Sequence, residues 1–434
     1  MITEPARGVL TRKNANAKWA TASDRTGMSG FPASRQSFRL PANATVFTIG
    51  SCFARNIEEH LSLIGCKVPT LSFSVPKSEW RARPNGILNK YTPATIYQEV
   101  SWAHKAYQAG GVTAEDCQEM RWDLPDGSVI DLQLGGNVPV SEERFLERRF
   151  QVYELFCSAF SADCVTITLG LIESWRDRRT GLYIQSAPVA RSLLRNAEDF
   201  EFALLDYNDC LNSVTSTIEK VRELNPGSRI LVTTSPVPME KTFTEEDVIV
   251  ANMTSKSILR AVANQVTTLF EGVDYFPSYE AVVMSDRSEV FNKDNLHVRN
   301  DFVGSIAQNL VSCYFEAPEE LNQLIQQVAA DLASKSCGYA ALRELLARKP
   351  KFDELTTDQL IIYLRACWRL RARWRVRRIA SELMKRRDRN SRHVGAVKHI
   401  FPKVGRTGDA RRYAEELLLQ DPSNPLAREI LDEA

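Results

Sequence analysis

The chain is short of the residues that most readily advertise a function. It has five histidines in 434 residues, a net charge of +1, no C-x-x-C pair among its nine cysteines, and no run of about eighteen uncharged apolar residues. The cysteines (52, 66, 117, 157, 164, 210, 313, 337 and 367) are odd in number and scattered, which argues against a disulfide framework and a zinc cage. Most read as reduced thiols acting as small buried hydrophobes. The balanced charge gives no general attraction to nucleic acid, so none is expected as a partner. No membrane span is expected either. Met1-Ile-Thr-Glu-Pro lacks the basic start and apolar run of a secretory signal, so the expected location is cytoplasmic.

What is present is ordinary soluble-protein composition, 44% hydrophobic and 25% charged, in a length that suits two domains better than one. The stretch that organises the rest is Thr45-Val-Phe-Thr-Ile-Gly-Ser-Cys-Phe-Ala54. Its β-branched and aromatic start predicts a buried strand, Gly50 permits a tight turn, and Phe53, Ile57, Leu61 and Ile64 recur at helical spacing. Ser51 and Cys52 therefore fall between the carboxyl end of a strand and the amino end of a helix, where an open α/β sheet binds ligands and helix amides favour an anion.

Residues 1–40, basic and without periodicity, read as a loosely packed tail. Lys67–Phe73 predicts a short strand. Met120–Leu124 and Ser128–Leu132, around Pro125-Asp126-Gly127, predict a hairpin. Strands at Asp163–Gly170, Arg229–Pro236 and Val273–Phe276 alternate with helices near Glu142–Phe160, Tyr207–Leu224, Thr254–Phe270 and Phe302–Phe315. That alternation predicts an α/β domain over 41–317 with a mainly parallel sheet covered on both faces.

From 318 to 434 the pattern is helical only. Ala380–Asn390 and Ala414–Asn424 share Ala, Glu, Leu and Asn at an offset of 34 residues, the tetratricopeptide period, and Arg343–Pro350 is a weaker copy. Arg365–Arg392 is strongly basic, with Trp368 and Trp374 interleaved. It reads either as a surface for an anionic or protein partner or as a solvated face whose arginine stems cover apolar surface, and the second reading is preferred.

Among the histidines, His60 and His104 fall in predicted helices and His393 and His399 in the helical region. His297 lies in a polar loop, Asn292-Lys-Asp-Asn-Leu-His-Val298, with Asp294 close enough on a turn to fix its tautomer.

The early turn and the late D-x-x-H together resemble the GSCFA family, a branch of the SGNH/GDSL hydrolase-like superfamily. The motif after which that family is named stands here as Gly50-Ser-Cys-Phe-Ala54, and further likeness lies in Thr168–Trp175, Ser235-Pro-Val-Pro238 and Tyr275–Glu280. The resemblance covers about residues 40–315. It implies a flavodoxin-like three-layer α/β/α fold whose first strand delivers a nucleophile and whose last loop delivers Asp294 and His297. In the register of Gly-Asp-Ser, Cys52 takes the nucleophile position, as cysteine does in the similar Gly-Asn-Cys-Gln acetyltransferases of polysaccharide biosynthesis. A thiol at a helix N-terminus beside an imidazole is expected to have a depressed pKa. Ser51 remains an alternative nucleophile, and a turn kept only for packing a third reading. Asn89 and Gly170 resemble by position the blocks that supply oxyanion donors, while Glu173 and Trp175 either shape the acceptor side or serve structure. The usual Gly-x-Asn-Asp reads Gly170-Leu-Ile-Glu173, so Ile172 removes one donor that Asn89 or a backbone amide must replace.

The resemblance implies acyl transfer. Cys52, assisted by His297 and Asp294, attacks an ester or thioester. Water as acceptor makes an esterase, and a glycan or glycan-precursor hydroxyl an O-acyltransferase. No cofactor is required, and acetyl-CoA is the candidate acyl donor, although no glycine-rich phosphate loop supports it. The competing expectation is a non-catalytic interaction protein, a degenerate SGNH-like domain with a basic helical adaptor.

Overall fold

The computed structural model describes residues 31–316 except Pro84, residues 320–334, 339–386 and 390–433, and scattered positions before residue 31. Most of the expected tail lies outside them. Residues 31–40 are mostly exposed or half-buried but anchored at their end: Phe38 and Leu40 are buried, Ser37 donates through backbone and hydroxyl to the Asp274 carboxylate at 2.7 Å each, and Leu40 pairs with Phe315. The apolar side chains at 38 and 40 supply that anchor.

The centre is a four-stranded parallel sheet, β1 (Val46–Gly50), β2 (Cys164–Leu169), β3 (Arg229–Thr234) and β4 (Val273–Tyr275), neighbours in that order. Alternate side chains go to opposite faces, as the two-residue strand period requires. Phe47, Ile49, Val165, Ile167, Ile230 and Val232 enter one core, and Val46, Cys164 and Leu231 enter another. The second core is closed by α1 (Cys52–Leu63) and α6 (Asn300–Tyr314). The first is closed by α2 (Pro93–Gln108), α3 (Glu142–Cys157), α4 (Tyr207–Leu224) and α5 (Val248–Leu269). Helices on both faces of the sheet make three layers. Each fully buried Ile, Val or Phe in these cores contributes about 1.5–3 kcal/mol.

Some elements differ from expectation. The strand predicted at Lys67–Phe73 is a single parallel bridge from Lys67 to Thr45 followed by a 3-10 turn at Pro69–Leu71, because Pro69 removes a ladder donor. α5 begins at Val248 instead of Thr254, capped by the Asp247 carboxylate on Ile249 N at 2.7 Å. The hairpin is present as Arg121–Asp123 paired with Val129–Asp131, and gains a third strand at Pro139–Val140. A second antiparallel sheet, Glu173–Asp177 between Tyr183–Ile184 and Phe200–Leu204, was not anticipated. Trp122 on one small sheet stacks near Phe200 on the other, 4.9 Å apart, inside a shared apolar cluster.

Among the described residues, seven α-helices follow: α7 (Glu320–Ala333), α8 (Ala340–Arg348), α9 (Thr357–Arg369), α10 (Arg373–Leu383), α11 (Val394–Ile400), α12 (Thr407–Gln420) and α13 (Pro425–Asp432). They enclose a core of their own, in which Ala380 and Ala414, the pair related by the sequence offset, are both fully buried. Arg377 and Arg386 of the basic run donate to the carbonyls of Val404 and Leu355, at 2.6 and 3.1 Å. The helical region docks on the end of α1: Asp358 accepts from Ser62 at 2.8 Å and pairs with His393 at 2.9 Å, and Gln359 donates to the Leu63 carbonyl at 3.3 Å. One helix therefore runs from the candidate nucleophile to the domain junction. Among the described residues, no helix is long and apolar enough to cross a membrane.

Candidate active site

The register of the sheet sets Gly50 opposite Thr168, and Thr168 opposite Thr233, so three strand ends reach one edge together. Gly50 has φ +135°, and a Cβ there would lie 2.2 Å from the Thr168 carbonyl oxygen. Only glycine turns the chain into α1 this close to β2. Gly170 is hemmed in as well, since its Cβ would lie 2.7 Å from the Tyr91 carbonyl oxygen and 3.3 Å from Ser51 Cβ. A loop laces the two ends together: Lys90 N donates to Gly50 O at 2.7 Å, and Gly170 N and Leu171 N donate to Tyr91 O at 3.1 and 2.8 Å.

Behind the turn, a buried network holds α1 in place. Glu58 accepts from Asn85 Nδ2 at 2.7 Å and from Thr70 Oγ1 at 2.6 Å, and Arg55 donates to the Thr48 carbonyl at 2.9 Å. These bonds tie α1 to β1 and to the loop before Lys90.

The strand ends open onto a cleft of about 600 Å³. Ser51, Cys52, Gly170, Glu173 and His297 line it. Asn89 does not. The backbone bonds of Lys90 and Tyr91 put Tyr91 at the cleft, and Asn89 is buried behind it, its amide 3.4 Å from the Tyr91 hydroxyl. The expected contribution of Asn89 as an oxyanion donor is thereby corrected.

Ser51 is the N-cap of α1, yet its hydroxyl makes no capping bond and is buried with no hydrogen-bond partner among the described residues. Cys52 begins the helix. Burial pushes its thiol pKa up and outweighs Lys256, the Cys52 and Phe53 amides and Arg83, which all pull it down. The expected depressed thiol is overturned, because desolvation of a thiolate exceeds what one helix end supplies. The amides of Ser51 and Gly170 are committed to Thr168 O and Tyr91 O, so neither is a free oxyanion donor. The Cys52 and Phe53 amides lie in the first turn of α1, where helix N–H groups have no partner within the helix.

His297 sits at the cleft rim, its side chain 60% exposed. Its Nδ1 is 2.7 Å from Asp294 Oδ2, while Asp294 Oδ1 accepts from the Leu296 and His297 amides at 3.0 Å each. The bond to His297 comes first among the causes that hold the Asp294 carboxyl down at about 2. Among the described residues, no hydrogen bond joins His297 to Cys52 or Ser51.

The unanticipated small sheet supplies a wall. Glu173 accepts from Thr242 Oγ1 at 2.5 Å and Phe243 N at 2.8 Å, and Trp175 meets Phe202 and Phe243 edge-on at 5.4 and 5.1 Å. Ser235, Val237 and Pro238 also line the cleft. The Tyr275–Glu280 motif lies elsewhere: Glu280 accepts from the Tyr275 hydroxyl at 2.7 Å and pairs with Arg260 at 2.5 Å, fastening β4 to α5.

Sequence reasoning missed Lys256. It lines the cleft from α5, is 1% exposed, and donates to Gly170 O at 2.7 Å. Burial drives its pKa down to about 7. The legible signal was its spacing: Lys256 falls on the apolar stripe of its helix, with Leu259 and Ala263. Among the described residues, no cluster of His, Cys, Asp or Glu could hold a metal ion.

Fold and cleft together define an α/β protein with an open cleft at the carboxyl edge of its parallel sheet, where such folds bind ligands. The model of the GSCFA family matches residues 45–310, more than half the chain, and this chain belongs to the GSCFA family. No curated protein and no solved structure matches it significantly.

Proposed function

We propose that this chain is an acyl-transfer enzyme, an esterase or an O-acyltransferase acting on a glycan or its precursor. The observation that carries the reading is that Cys52, Ser51 and the His297–Asp294 pair converge on one cleft at the strand ends. Cys52 attacks an ester or thioester carbonyl and forms a thioacyl intermediate. The Cys52 and Phe53 amides receive the developing oxyanion. His297, its Nδ1 held by Asp294, uses Nε2 to take a proton from the water or sugar hydroxyl that resolves the intermediate. Glu173 and the aromatic wall of Trp175 and Phe243 shape the acceptor side. The reading assigns the domain to the SGNH/GDSL hydrolase-like superfamily, with a tetratricopeptide-like helical region attached. It needs no cofactor. Acetyl-CoA is the proposed donor for a transferase, which suits a cytoplasmic setting.

A second reading has its own support. Arg365, Arg369, Arg371 and Arg373 line a groove of about 710 Å³ with Trp368 and His399, and none of the four pairs with a carboxylate among the described residues. An adaptor would present that groove to an acidic protein partner, the α/β domain serving as scaffold. Supplying p-nitrophenyl acetate and acetyl-CoA, with and without sugars, separates the readings. Released acid marks an esterase and acylated sugar a transferase. No turnover of any ester or thioester moves the function to the adaptor.

A further inference from the structure

We propose that Lys256 is the proton acceptor of Cys52, an amine sealed behind the nucleophile that takes the thiol proton as sulfur attacks. The step rests on the acyl-transfer reading for what is attacked, but not for how Cys52 is ionised.

Among the described residues, two fully buried lysines lie beside this edge of the sheet, and they are treated differently. Lys90 is paired with Glu99 at 2.5 Å, as a buried ammonium requires. Lys256 has no carboxylate partner among the described residues, and its one hydrogen bond goes to the neutral Gly170 carbonyl. A lysine sealed this way without a counter-ion is held as the neutral amine for a large part of the time, and burial sets its proton affinity near neutrality. Gly170 in turn lies against Ser51, so its carbonyl anchors Nζ beside the nucleophile turn. Cys52 is the titrating group that acts on Lys256, and Lys256 comes first among the charges acting on Cys52. Other groups facing the pair are Arg55 and Arg83 beside α1, Tyr91 on the loop, and Glu173, Glu240, Lys241 and His297 around the cleft. His297 is exposed at the rim and bonded to Asp294, and among the described residues no hydrogen bond joins it to the thiol.

The proton balance closes. The Sγ proton passes to Lys256 Nζ while the S–C bond forms and the carbonyl π pair moves onto oxygen. Collapse restores the carbonyl and breaks the bond to the leaving alkoxide or thiolate, which receives the proton from the Lys256 ammonium. Lys256 is neutral again, and His297 is left to activate the acceptor.

The test uses the full chain and iodoacetamide, with Cys52 followed by peptide mass spectrometry from pH 6 to 10, so no acyl substrate is needed. Lys256→Met should slow Cys52 alkylation at pH 8 by tenfold or more and move its midpoint upward, whereas His297→Ala should stay within twofold of wild type. Lys256→Arg, a permanent cation of similar length, should move the midpoint downward and carries the test if the methionine variant does not fold. A midpoint unmoved in either folded variant overturns the proposal. Alkylation that depends on Lys256, in a protein that forms no acyl adduct, would leave the pair standing and remove the acyl-transfer reading.

Discussion

Lys256 donates its 2.7 Å hydrogen bond to the carbonyl oxygen of Gly170, while its neighbour Ser255 accepts from Ile172 N at 3.1 Å. Two consecutive side chains of α5 thus grip the turn in which Ile172 replaces the expected asparagine. The grip buries the Lys256 amine with it. Its folded pKa near 7 lies well below the roughly 10.4 of an exposed lysine, so between these values the unfolded chain binds more protons. Wild-type stability should therefore rise over this window relative to Lys256→Met, by about 1 kcal/mol per pH unit. Urea unfolding of both proteins at pH 7.5, 8.5 and 9.5 measures the gap, and a gap independent of pH would show that Lys256 is not neutralised by burial.

Gly50→Ala places a Cβ 2.2 Å from the Thr168 carbonyl and forces a left-handed φ on alanine. Backbone must move on one side of the turn. The expected cost is about 3 kcal/mol or more, large against the stability of a typical domain, so the variant should melt far below wild type or fail to accumulate. A melting temperature within a few degrees of wild type would show that the turn relaxes.

At the domain junction, Asp358 holds its carboxyl at about 2: burial alone raises it, but the bond to His393 and the charge of Arg392 outweigh that. The carboxylate's stabilisation is present above the unfolded value of roughly 3.9 and disappears as pH falls from there toward 2. Asp358→Asn should lose about 2 kcal/mol at pH 7 and draw level with wild type in strong acid. Denaturant titrations at pH 7, 4 and 2.5 would reveal the convergence, and parallel curves would contradict it.

The rim pair should behave in the opposite way. His297 and Asp294 are exposed, so Asp294→Asn and His297→Ala should leave the melting temperature nearly unchanged. Turnover should fall by tenfold or more in each, since general acid–base groups contribute about 10²–10⁴-fold. Because Asp294 is held at about 2, its carboxylate stays charged down to pH 4, and no acid limb above that pH should trace to it. Unchanged turnover in both variants would remove the pair from the chemistry.

Much of this was readable in the residues. An apolar run ended by glycine, followed by 3.6-residue periodicity, placed Ser51 and Cys52 at a strand-to-helix turn, and the short D-x-x-H loop allowed the Asp294–His297 contact because that contact is local. What was not readable depends on contacts distant in sequence. Asn89 was turned away by the bonds of Lys90 and Tyr91 to Gly50 and Gly170. The wall carrying Glu173 and Trp175 comes from short strands, one of only two residues, that pair across a gap containing no strand signal. Lys256 resembles any helical lysine until α5 is packed, and the raised Cys52 pKa follows from burial, which spacing does not report.

In the proposed reaction Cys52 carries the acyl group. Intact-mass spectrometry after exposure to acetyl-CoA or a small activated ester tests it most directly, with the site located by peptide mapping. One acyl adduct should form on Cys52, retained in Ser51→Ala and absent in Cys52→Ala. An adduct lost in Ser51→Ala but kept in Cys52→Ala would contradict it.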